Sequence, residues 1–144
     1  MRVVASSMYT VGVLSLLAIC MSQHVDAQIV GQIDATLSHS FVVSTKTLSP
    51  GKYVFRVQDG SNGSIMTASS TDGKNSDDFM VRQSESEQAP AHTELIFRRY
   101  GNQEFLSKIY ESGNRVGIAV AEPSNLEKKL QANGQQPVEH TESH

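Results

Sequence analysis

The side chains able to do chemistry are few and widely spaced in this chain. It carries five histidines, one cysteine and a formal net charge of −3. His39 and His92 lie beside turn and loop residues, where an imidazole is ordinarily solvated or hydrogen-bonded rather than catalytic. His140 and His144 stand four apart in His140-Thr141-Glu142-Ser143-His144. On a helix, two imidazoles at that spacing share a face and chelate a divalent metal. No apolar face is present to dock such a helix, and an isolated one this short does not form in water. Residues 132–144 therefore read as a disordered tail, whose metal affinity would be weak and nonspecific because ordering it costs roughly 1–2 kcal/mol per residue.

Carboxylates recur at Asp72, Asp77 and Asp78 and again at Glu85 and Glu87. They lack the Asp-x-Asp/Asn order and closing Glu of a calcium loop, and a glycosidase pair would have to face across a cleft. The expectation is a charged turn and loop. No serine sits in a Gly-x-Ser-x-Gly context. Catalytic, cofactor-binding and metal-ligating roles are accordingly assigned to no residue, and no cofactor is expected. The best lead is a cationic stripe: Arg98, Arg99, Lys108 and Arg115, with Tyr100 and Tyr110, could converge as an anion or partner surface. The plainer reading is the solvent face of a hairpin, guarded by charge against strand addition.

The elements that must position these residues are strands. From Ile29 to Val120, short alternating runs are separated by turn residues about every 8–12 positions, the spacing of sandwiches and small barrels. Tyr53, Phe55 and Val57 fall on one face of a strand entered through Ser49-Pro50-Gly51-Lys52 and left through Asp59-Gly60-Ser61-Asn62-Gly63. Asn62-Gly63-Ser64 has the letters of a glycosylation sequon and reads as part of that turn. Ile29–Asp34, Phe41–Thr45, Ser64–Ala68 and Phe79–Arg82 are further strand segments. Gln83–His92 loses apolar pattern and reads as a loop. Thr93–Arg99 and Gln103–Tyr110 form the strongest hairpin around Tyr100-Gly101-Asn102, with Phe105 and Ile109 expected on one face. Arg115–Val120 is the last strand, its Gly117 and Ala119 suited to close approach. Ser124-x-x-Glu127 is a capping box opening a short helix in which Leu126 and Leu130 stack.

The N-terminus has the form of an export signal. Arg2 precedes an apolar stretch from Val11 to Met21, too short for the roughly 20 residues of a membrane span. Val25-Asp26-Ala27 then offers small residues at the positions a signal peptidase reads, predicting a mature start at Gln28. Leu17-Ala18-Ile19-Cys20 resembles a lipobox, but Ile19 is too large for the residue before a lipidated cysteine. Cleavage after Ala27 would remove the only cysteine, so the mature chain would hold no disulfide or thiolate.

Three stretches carry a resemblance to a family of small, secreted, uncharacterised bacterial β-proteins: Phe41 to Tyr53, Leu95 to Leu106, and Ser124 to Leu130. The likeness spans roughly Leu37 to Leu130. It departs at Ser38 and His39, where the family shows a proline and a second aromatic. The resemblance implies a β-fold and export, and brings no activity.

The expectation is thus three segments: a signal peptide over residues 1–27, a β-domain with a short terminal helix over 28–131, and the tail. The domain would be an antiparallel sandwich or partly closed barrel of about seven or eight strands. Its core would hold Phe41 or Val42, Tyr53, Phe55, Val57, Leu95, Phe97, Phe105, Ile109, Val116 and Ile118. The function expected is an exported, periplasmic or extracellular, non-catalytic module binding another protein, a surface polymer or a small ligand. The alternatives are a secreted enzyme or a structural envelope protein. Scattered cations and mild negative charge exclude a nucleic-acid partner, and no span is expected in the mature chain.

Overall fold

The computed structural model describes residues 31–144. The signal segment, Cys20 and the Gln28 start lie outside the described residues. Ten strands and one helix follow in order: β1 Gln32–Leu37, β2 Phe41–Val43, β3 Lys46–Leu48, β4 Gly51–Val57, β5 Ile65–Ser70, β6 Ser76–Glu85, β7 Glu94–Tyr100, β8 Gln103–Tyr110, β9 Val116–Val120, α1 Asn125–Ala132 and β10 Val138–Ser143. No described helix is long and apolar enough to cross a membrane.

Alternation explains why these segments pair. In β1, Ile33, Ala35 and Leu37 are buried while Gln32, Asp34 and Thr36 face out, and Tyr53 and Phe55 continue the inward face on β4. The strands run in the order β1-β4-β5-β6-β9-β8-β2-β3, with β7 on β8 and β10 on β7. Pairings are antiparallel except β2 with β8, so the sheet is mixed, and it does not close into a barrel. One edge of β8 pairs with β7; the other is shared between β2, at Glu104 and Phe105, and β9, at Lys108 and Ile109. The ten-residue β6 is equally shared, pairing with β5 up to Met80 and with β9 from Val81. These shared strands curl the sheet so that one face encloses a continuous core around Phe41, Tyr53, Phe55, Met66, Leu95 and Phe97. Burial of such side chains contributes about 1.5–3 kcal/mol each.

The expected all-β class with a short C-terminal helix stands, and several details differ. The tail is not disordered: Val138–Ser143 pairs along β7, from Val138 opposite Arg99 to Ser143 opposite Glu94, and Ala132 closes the helix. The loop expected from Gln83 begins later, because Gln83, Ser84 and Glu85 pair with β9. Phe105 and Ile109 do not share a face. The register jumps from Ile96 opposite Lys108 to Phe97 opposite Leu106, so Ser107 is an extra residue and the pleat inverts across it. Ile109 enters the main core, whereas Phe105 joins Val42, Tyr100 and Leu130 under the helix. Val57 and Val116 are only half-buried.

Gly117 fulfils its expected role. A Cβ there would stand 2.3 Å from the Ile109 carbonyl oxygen and 2.4 Å from the Tyr110 ring, so any side chain would force β8 and β9 apart. In α1, Ser124 Oγ accepts from the Glu127 amide at 3.1 Å, half of the expected capping box. The Glu127 carboxylate does not close the box, for it turns into the sheet. Leu126 is exposed instead of stacking with Leu130.

Candidate functional site

The cationic stripe does not assemble. Arg98 and Arg99 are neighbours on β7 and so point to opposite faces. Arg98 reaches under α1, where its Nε and Nη2 donate to Glu127 at 2.5 and 3.0 Å and its Nη1 donates to Ser107 Oγ at 2.9 Å. Tyr100 Oη donates to the same carboxylate at 3.2 Å and accepts from Gln131 Nε2 at 2.9 Å. Burial, ahead of the nearby Glu127 charge, raises the Tyr100 phenol above its ordinary value. Glu127 is 1 % exposed, so this group is a structural lock between helix and sheet. Tyr110 is buried over Gly117, its hydroxyl 2.9 Å from Ser84 Oγ. Arg115 donates to the Ser86 carbonyl at 3.2 Å. Lys108 shares a face with Arg98, opposite Ile96.

The carboxylates also disperse. Asp72 caps the β5–β6 turn, accepting from Ser70 Oγ at 2.6 Å and from the Lys74 amide at 3.0 Å. The first of those bonds, then the second, holds its carboxyl below the usual range. Asp77 and Asp78 are successive residues of β6 and face opposite ways. Glu85 and Glu87 are exposed, as is His92.

Two arrangements were not anticipated. The first crosses the outer face of the sheet. Gln32, Arg56, Thr67 and Asp78 stand directly opposite one another on β1, β4, β5 and β6. Arg56 Nη2 donates to Gln32 Oε1 at 2.5 Å, and Gln32 Nε2 donates to Asp34 at 2.9 Å. Gln58 Nε2 donates to Thr67 Oγ1 at 3.2 Å, and that hydroxyl donates to Asp78 at 2.6 Å. Two open hollows, of about 530 and 350 Å³, adjoin this row and share Gln32, Arg56, Val57, Gln58 and Asp59 in their walls. The signal was present as the outward positions of four strands, but their alignment into one row is a matter of register.

The second lies where β10 meets the β1–β2 loop. His140 opposes Phe97 and Glu142 opposes Leu95, so both turn toward the core face. His39, from the loop, stacks edge-on to Phe97 with ring centroids 5.1 Å apart and lies 5.5 Å from the His140 ring. His39 Nδ1 is 2.9 Å from Glu142 Oε1, and His144 Nε2 is 3.8 Å from Glu142 Oε2. Beneath His140, Glu104 is 5 % exposed and bonded to Arg99 Nε. His140 Nδ1 stands 3.2 Å from Glu104 Oε1 and 2.8 Å from Arg99 Nη2. Helical spacing was the wrong ruler for His140 and His144: in a strand, residues two and four apart also share a face.

The fold is a curled, open β-sheet domain with one covering helix and two polar constellations on separate surfaces. Family models, curated proteins and solved structures each yield no match to this chain.

Proposed function

We propose that this protein is an exported, non-catalytic binding module whose ligand is a polyhydroxylated surface polymer lying across the outer face of β1, β4 and β5. The observation that carries the reading is the aligned row Gln32–Arg56–Thr67–Asp78 beside two adjoining hollows. Amide, guanidinium and carboxylate groups are planar and offer paired donors or acceptors. Vicinal hydroxyls of a polymer match such pairs, and the two adjoining hollows, both open to solvent, form the groove proposed for the chain. Export is supported by the N-terminal charge, apolar stretch and Val25-Asp26-Ala27 site.

The test is co-sedimentation of the protein with insoluble envelope polysaccharide, followed by competition with soluble fragments. Arg56→Ala and Gln58→Ala should each weaken binding, while Glu87→Gln should leave it unchanged. Equal binding by Arg56→Ala and the parent protein would remove the groove from consideration. Release of new reducing ends from the polymer would favour the enzymatic alternative.

A further inference from the structure

We infer that His39, His140 and Glu142 form a binding site for one divalent transition-metal ion, with Glu104 as the group that orients His140. One ligand atom from each of the three residues lies within 4.8 Å of the others. Bonds of about 2.0–2.2 Å from imidazole nitrogen and carboxylate oxygen to zinc imply ligand separations only slightly above 3 Å. The His39 Nδ1 to Glu142 Oε1 distance of 2.9 Å is already near that value. Small rotations of the His140 side chain close the remainder.

The neighbourhood is also short of hydrogen-bond partners. His39 Nε2 is buried and has no hydrogen-bond partner, and Glu104 Oε2 is in the same condition. Buried polar atoms are normally paired, and two of the three unpartnered side-chain atoms among the described residues belong to this one neighbourhood. A cation held at His39 Nδ1 compensates the charge of Glu142, and the His39 ring proton then sits on Nε2.

The surroundings also supply what a metal-bound imidazole requires. A ligating histidine ordinarily donates its other ring N–H to a carboxylate, which fixes its tautomer. His140 Nδ1 faces both Glu104 Oε1 and Arg99 Nη2. Protonated at Nδ1, the ring donates to Glu104 and leaves the Nε2 lone pair for the ion. Protonated at Nε2, it accepts from Arg99 and cannot ligate. Metal binding selects the first state. Arg99 then keeps its Nε bond to Glu104 and releases the ring.

Two imidazoles and one carboxylate suit zinc, nickel or copper rather than calcium or magnesium, which take oxygen ligands. His144, beside the second Glu142 oxygen, is within reach of a fourth position. The site shares no residue with the groove proposed for polymer binding, so either can fail without the other.

The experiment is isothermal titration with zinc of the protein produced from its full sequence, without a histidine tag and stripped by chelator. One equivalent should bind, with calcium giving no heat. His39→Gln and Glu142→Gln should abolish saturable binding, and Glu104→Gln should weaken it by about 10–100-fold. His92→Gln and Arg56→Ala should bind as the parent does. Should a site variant lose its native circular dichroism, ring NMR signals of the parent decide instead. Zinc must then shift those of His39 and His140 and spare His92. Absence of stoichiometric binding overturns the inference. So does unchanged affinity in a folded His39→Gln protein, which would mean that the β10 histidines chelate alone.

Discussion

The two faces of β7 treat adjacent arginines differently. On the helix side, Arg98 meets Glu127, Ser107 and, through the shared carboxylate, Tyr100, and Gln131 completes the set. On the other side, Arg99 meets Glu104, but the group spreads outward through His140, His39 and Glu142 and retains two orphaned atoms. The first cluster is closed: every strong donor and acceptor finds a partner within the chain, and the result fastens a helix. The second is open, with ligand-type atoms gathered at a sheet edge and left short of partners. Buried polar groups in a native fold are normally satisfied. A network that meets this rule reads as structure, and one that breaks it beside imidazoles reads as a site.

The largest expected effect lies beneath the open cluster. Phe97 is fully buried, packs edge-on against His39 and Phe41, and contacts the His140 ring. Phe97→Ala should cost about 3–5 kcal/mol in urea unfolding. An unchanged midpoint would mean that the two faces of β7 have been assigned the wrong way round.

Next come the arginine partners themselves. Glu127→Gln keeps the shape of the closed cluster but leaves Arg98, whose side chain is 27 % exposed, without its countercharge. Breaking a buried pair from one side costs about 3–5 kcal/mol, and the partial exposure of Arg98 brings the expected loss to about 2–3 kcal/mol. Arg99→Gln should cost somewhat less, about 1–2 kcal/mol: it leaves the Glu104 carboxylate, 6 % exposed, without its guanidinium, but His140 Nδ1 remains 3.2 Å away to share that charge. The two measured by denaturation under identical conditions test the comparison directly. A larger loss at Arg99 would make the open cluster the structural one.

The smallest effect expected without metal is removal of β10 by truncation before Val138. Its backbone bonds to β7 contribute about 0.5–1.5 kcal/mol each, while ordering each residue costs about 1–2 kcal/mol. Most β10 side chains are exposed and bury little apolar surface. A net loss of about 1 kcal/mol is expected in metal-free buffer, rising when zinc is added to the intact protein alone, since a ligand stabilises only the state that binds it. A stability gap that zinc does not widen would confine β10 to an edge-covering role.

Local chemistry made much of the fold legible. Period-two alternation at Tyr53 and Phe55, the turn residues around Gly51 and Gly101, and Ser124 ahead of a helical run are all short-range signals, and the strands and helix fall where they imply. Gly117 was legible for the same reason, since a residue lacking a side chain marks where backbone must come close. What escaped was decided by partners distant in sequence. Ser107 looks like any strand residue, yet its bulge sends Phe105 and Ile109 to opposite faces. Val138–Ser143 has almost no apolar content, and it becomes a strand because β7 offers an unpaired edge of amides and carbonyls. That pairing converts His140 and Glu142 from a solvated tail into neighbours of His39, about a hundred residues earlier in the chain. Sequence by itself determined most of the extended segments, because steric preference and alternation act over a few residues. Only the tertiary structure decided which polar groups meet, because register and strand order are set by the packing of the whole core.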